Sequence, residues 1–229
     1  MSKIDFDQQI DRSGTYSLKY DARQRLFGRE DAIPLWVADM DFAAPESVTK
    51  ALTVRAQHPL YGYSEYPEAL YQATQEWFLR RHHWHIDAEH ILICPGVVPS
   101  LHATIMALTE KHDQVIAQPP VYFPFFSAVT ETQRNLLLNP LQLVDEYYQI
   151  NFAELAEQAA AGAKMLLLCS PHNPGGRVWS ESELQQLLDI ARQYQLIIVS
   201  DEIHADLVLS GQKHIPLATL ADDVPMVTA

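Results

Sequence analysis

LIIVSDEIHAD, residues 196–206, begins as an apolar run and ends in a crowd of polar and ionisable groups. Residues 196–199 are β-prone and carry no polar atom beyond the backbone, so they read as a buried strand. Ser200, Asp201, Glu202, His204 and Asp206 follow at once. A carboxylate at the end of a buried strand needs a partner, because an isolated buried charge is expensive. A metal, a catalytic proton exchange or a bound cation could each supply the reason.

The same pattern recurs upstream. Apolar runs stand at ILIC (91–94), QVIA (114–117), NLLL (135–138) and KMLLLC (164–169). Helical spacing is read over 45–56, 67–83, 98–111, 152–161 and 181–194. The last opens with Ser180 and, three residues on, Glu183, a capping box in which each side chain satisfies the other's free N–H. Strands that are continuously Val, Ile and Leu imply a mostly parallel sheet covered on both faces. The expected fold class is therefore α/β, a three-layer α-β-α arrangement behind an irregular N-terminal stretch.

Composition narrows the function classes. The net charge of −13 argues against general binding to nucleic acid or to an anionic membrane surface. Cys94 and Cys169 each end a predicted buried strand and read as core thiols of a reducing compartment. The first residues, MSKIDFDQQIDR, lack the apolar core of a signal peptide, and no apolar run approaches membrane-spanning length. A cytoplasmic protein with small-molecule partners is the expectation.

In an open α/β sheet, ligands sit beyond the carboxyl ends of the strands. Four segments would meet there. Gly96, Val97 and Val98 form a strand-to-helix turn, either a phosphate cradle or simply a tight turn. Tyr122, in PPVYFPFF, either stacks on a flat ligand or belongs to an aromatic core cap. Asn173, in SPHNPGG, is either a held side chain or part of an ordinary turn. Asp201 is the carboxylate of the opening question. Strand alternation sends Asp201 and Glu202 to opposite faces, which disfavours a shared metal and leaves a cation held by Asp201.

PLWVADMDF, YGYS, PGVVPSL, PPVYFPFF, LLLCSPHNPGGRVW and SDEIHADLV occur in one order along nearly the whole chain. In this it resembles the fold type I pyridoxal-phosphate enzymes of the class I/II aminotransferase superfamily, and within them the MalY/PatB-type cystathionine β-lyase branch. The resemblance implies pyridoxal 5'-phosphate as cofactor, with Asp201 at the ring nitrogen, Tyr122 on the ring face, Asn173 at the 3′ oxygen and Gly96, Val97 and Val98 at the phosphate. It implies Tyr63 reaching the phosphate of a neighbouring subunit, hence a homodimer, and His204 beside the cofactor. Residues 1–45 would be an N-terminal arm and part of the small domain, and 46–229 part of the cofactor-binding large domain.

The implied reaction is β-elimination from an amino-acid thioether such as cystathionine, giving pyruvate, ammonia and a thiol. An aminotransferase, or a cofactor- or partner-binding fragment without chemistry, are the alternatives. The SxKWD pattern of the family stands here as SLKYD, with Tyr20 for Trp. The family's Schiff-base lysine is expected beyond Ala229, so no catalytic residue is assigned within the chain, and the chain alone is expected to be inactive.

Overall fold

The computed structural model describes residues 5–209 and 211–229. It divides into two compact units, Met1–Glu65 and Tyr66–Ala229. The first holds two short helices, α1 (Leu18–Asp21) and α2 (Arg23–Phe27), and the longer α3 (Glu46–Gln57). An ion-pair network orders its irregular part. Arg12 binds Asp39 and Asp41, and the buried Lys19 ammonium donates to the Asp39 carbonyl at 2.7 Å and to Asp41 at 2.8 Å. SLKYD is thereby tied to WVADMDF.

The second unit starts with α4 (Glu68–His82) and continues through α5 (Val97–Leu108), β1 (Gln114–Ala117), α6 (Pro124–Glu131) and β2 (Asn135–Leu138). A hairpin of β3 (Gln142–Val144) and β4 (Tyr147–Gln149) precedes α7 (Phe152–Ala160). β5 (Met165–Cys169), α8 (Glu181–Tyr194), β6 (Ile197–Asp201) and β7 (Met226–Thr228) complete it. The main sheet is parallel throughout, in the order β2-β1-β5-β6-β7.

Alternation along the central strands divides the core in two. Ile116, Leu166, Leu168 and Ile198 pack with Leu155 of α7 and Leu184, Leu187 and Leu188 of α8. Val115, Met165, Leu167, Cys169 and Val199 pack on the other face with Leu101 and Ile105 of α5 and Phe125 and Val129 of α6. This is the three-layer arrangement expected from the unbroken apolar runs. Full burial of one such Leu or Ile stabilises by roughly 1.5–3 kcal/mol.

Several local expectations change. ILIC is not a strand: residues 91–94 follow a 3-10 turn (Ala88–His90) as irregular backbone, with Leu92 86% exposed and Cys94 exposed. Apolar composition alone cannot make a strand, which exists only where a neighbour takes its N–H and C=O groups. Cys94 is therefore no core thiol, whereas Cys169 is buried as expected. Within PPVYFPFF, Pro124 starts α6, its missing N–H being harmless in the first turn. The capping box on α8 is present in both directions: Ser180 Oγ accepts from Glu183 N–H at 3.3 Å, and Ser180 N–H donates to the Glu183 carboxylate at 2.8 Å.

Among the described residues, no helix is long and apolar enough to cross a membrane.

Candidate functional site

The strand order reverses between β1 and β5, with β2 to one side and β6 and β7 to the other. Such a switch point opens a crevice at the carboxyl ends of the two strands. The loop after β1 carries Tyr122 and the loop after β5 carries Asn173. They meet directly: Tyr122 N–H donates to the Asn173 carbonyl at 3.1 Å. Tyr122 is 38% exposed, its ring tilted against that of Phe123 with centroids 5.4 Å apart.

The SPHNPGG loop is held from several sides. Its Ser170–Pro171 and Asn173–Pro174 peptides are cis, as is Pro119–Pro120 across the crevice. Asn173 N–H donates to Cys169 Sγ at 3.3 Å. Gly175 N–H donates to His172 Nδ1 at 3.2 Å. Arg177 grips both Glu183 oxygens at 2.7 and 2.8 Å, donates to the Tyr148 carbonyl and lies 4.8 Å from the Trp179 ring centroid. Arg177 is thus a brace for the loop, which leaves the Asn173 side chain half-buried on a fixed backbone.

His172 forms the floor of that loop. It is buried between Tyr148 and Trp179, and its Nε2 has no hydrogen bond of normal geometry. Burial lowers its pKa to about 4, opposed by the Gln118 backbone and reinforced by the charge of Arg177. At neutral pH it is an uncharged imidazole whose Nδ1 accepts.

Asp201 ends β6 in register with Cys169 of β5. Its parity matches that of Val199, so both belong to the α5–α6 face. The carboxylate is buried, accepts Ile203 N–H at 3.2 Å and forms no ion pair among the described residues. Burial raises its pKa, with the Ile203 N–H and His204 opposing and the Glu202 charge adding to the rise. Cys169 lies between Asp201 and Asn173. Burial pushes its thiol up to about 12, the Asn173 N–H opposing and the Asp201 charge contributing. It is a neutral spacer and no nucleophile.

On the same face, α5 presents its N-terminus. Gly96 has φ 146°, a backbone that side-chain-bearing residues rarely adopt, while a Cβ there would meet only Pro99 Cδ at 3.8 Å. The conformation, rather than space, calls for glycine. The first helical bond runs from Ser100 N–H to the Gly96 carbonyl at 3.1 Å, so the N–H groups of Val97 and Val98 precede the ladder. Pro99 has no N–H to add, and among the described residues no side chain caps the helix. Val97 packs against the cluster containing Cys169 and Val199, which sets this helix end near the β5 and β6 termini.

His204 is half-buried and precedes the 3-10 turn Ala205–Leu207. Tyr63 belongs to the first unit and is fully exposed there. Glu202 is absorbed elsewhere: it opens on the α7–α8 face, against His214 and Leu217. The sequence carried no sign of those partners, nor of the way Cys169 joins Asp201 to Asn173.

This geometry can be set beside known proteins. Residues 30–229 match the family model described as aminotransferase class I and II. Cystathionine beta-lyase PatB of Bacillus subtilis (strain 168) is 43% identical over 221 residues, which are 96% of this chain and 57% of that protein. Protein MalY of Escherichia coli (strain K12) is 32% identical over 95% of this chain and 56% of its own length. Cystalysin from Treponema denticola, whose crystal structure contains pyridoxal 5'-phosphate, superposes with a TM-score of 0.91 at 35% identity, covering 99% of this chain and 59% of that one. The chain thus spans a little over half the length of each. With the family model covering both the strands and the loops that gather at the switch point, the chain belongs to the class I and II aminotransferase family.

Proposed function

We propose that the protein to which this chain belongs is a pyridoxal-phosphate-dependent carbon–sulfur β-lyase. It would cleave a cysteine-derived thioether such as cystathionine to pyruvate, ammonia and a thiol. The observation that carries the reading is the Asp201 carboxylate, buried without an ion-pair partner among the described residues on the α5–α6 face, where Asn173, Tyr122 and the N-terminus of α5 gather.

The residues fit the cofactor's chemistry. A buried carboxylate that gains a proton too readily is stabilised by a pyridinium N–H, which supplies the missing positive charge. The N–H groups of Gly96, Val97 and Val98, at an end without a side-chain cap, suit a phosphate. Tyr122 offers an exposed ring face and Asn173 an amide on a braced loop. His204 lies close enough to Asp201 to stabilise its charge. Tyr63 would complete the phosphate site of a second subunit, which makes the working form a homodimer.

When bound, pyridoxal phosphate supplies an electron sink for a carbanion at the substrate's Cα. Asp201 holds the proton on the ring nitrogen, and so sets the depth of that sink. Asn173 donates to the ring's 3′ oxygen, and Tyr122 covers one ring face and excludes water there. The backbone at 96–98 fixes the opposite end of the ring through the phosphate.

PatB, a cystathionine beta-lyase by name, supports the lyase reading over transamination, which the family description equally covers. Equilibrium dialysis of the full chain against pyridoxal 5'-phosphate tests the site. Asp201→Asn, which keeps the shape and removes the charge, is expected to weaken binding about tenfold or more, equivalent to at least about 1.4 kcal/mol. Equal affinity of the two chains would remove Asp201 from the cofactor.

A further inference from the structure

Glu202 follows Asp201 directly and is just as buried, yet it has no place in the cofactor site. Its carboxylate takes three donors. Ser200 Oγ at 2.9 Å and Leu217 N–H at 3.0 Å reach Oε1, and His214 Nε2 lies 2.7 Å from Oε2. Its own N–H donates to the Ala229 carbonyl at 2.8 Å.

A second anchor lies four residues on. Asp206 accepts from Trp77 Nε1 at 2.8 Å and lies 3.0 Å from His82 Nε2, with Arg81 Nε at 3.5 Å. The two anchors touch, since the His82 and His214 rings stand edge to face, 5.7 Å apart. The segment 201–206 is therefore fastened at 202 and 206, with His204 between the fasteners and Asp201 immediately before the first.

A buried carboxylate–imidazole pair is a poor way to gain stability. Well-packed apolar residues in its place are often as stable or more so, because both polar groups must leave water. What the pair supplies is one fixed geometry. A three-donor carboxylate one residue after Asp201 leaves the β6 exit a single backbone path, and the Ile203 N–H that bonds Asp201 Oδ1 lies on that path.

We propose that Glu202 and His214 are a positioning pair: anchored on the α7–α8 face, they lock the turn after β6 so that Asp201, on the α5–α6 face, meets the cofactor ring nitrogen at one height. This rests on the cofactor reading above. Neither residue touches the cofactor, and both act through the backbone of 201–203.

The full chain and four variants, Asp201→Asn, Ser200→Ala, His214→Leu and His214→Gln, are titrated with pyridoxal 5'-phosphate and separately with inorganic phosphate. Amide hydrogen exchange at Ile203 is followed without either ligand. His214→Leu is expected to weaken pyridoxal 5'-phosphate about tenfold, leave phosphate affinity unchanged and speed exchange at Ile203. His214→Gln, whose amide can still donate to Glu202, restores most of the affinity. Ser200→Ala, the mildest change, gives about a two- to threefold loss with the same selectivity, and serves where His214→Leu does not fold.

Parallel loss of both ligands would mean general loosening and overturns the proposal. So does unchanged binding with unchanged exchange at Ile203. If Asp201→Asn weakens pyridoxal 5'-phosphate while the Ser200 and His214 variants do not, the positioning role fails and the cofactor reading stands. If Asp201→Asn has no effect, both fall together.

Discussion

Lowering the pH from 7.5 to 4.5 places a proton on His172 in the unfolded chain but not in the folded one. The unfolded imidazole takes up its proton near 6.5, and burial lowers the folded value to about 4. Between those values the unfolded state binds more protons, so stability falls as pH falls. At about 1.36 kcal/mol per pH unit the whole interval corresponds to about 3 kcal/mol, most of which is lost by pH 4.5. Replacing His172 by Asn keeps an acceptor for Gly175 N–H and removes the titration. The assay is urea unfolding of both chains at several pH values across this range. Wild type minus His172→Asn is the quantity to follow, because the carboxylates shared by both chains cancel in the difference. That difference should shrink by about 2 to 3 kcal/mol between pH 7.5 and 4.5. A difference that stays constant with pH would refute the claim that His172 is held neutral by burial.

Gly175→Ala places a Cβ 2.7 Å from His172 Nδ1 and 2.8 Å from Tyr148 Cδ2. Overpacking of this kind should cost about 1–3 kcal/mol, read as a lower thermal midpoint; an unchanged midpoint would show that the loop yields freely. The two thiols should separate under iodoacetamide at pH 8. Cys94, exposed, is alkylated in the folded chain, whereas Cys169, buried with its pKa pushed up to about 12, reacts only after unfolding, as peptide mass mapping would show.

The legible parts of the fold were those in which local chemistry and packing agree. QVIA and NLLL coincide with β1 and β2 to the residue, and Ser180 and Glu183 mark the start of α8. ILIC misled because its apolar residues have no paired neighbour to make them a strand. The β3–β4 hairpin escaped notice for another reason. Its strands have three residues each, and its turn residues, Asp145 and Glu146, both have positive φ without the Asn-Gly or Asp-Gly that usually announces such a turn. Asp201 was readable as a candidate from its place at a strand end. His214 was not, since a contact twelve residues away leaves no periodic trace around Glu202.

The proline at the third position of α5 limits what its N-terminus can do. Counting outward from Gly96, three peptide hydrogens can converge on an anion, and then Pro99 interrupts the series. A tetrahedral dianion has more lone pairs than three such bonds can occupy. Its remaining valence must be met by donors other than these peptide hydrogens, so the three N–H groups alone are an incomplete receptor. Recognition there becomes a property of how many separate pieces of polypeptide assemble around one oxyanion.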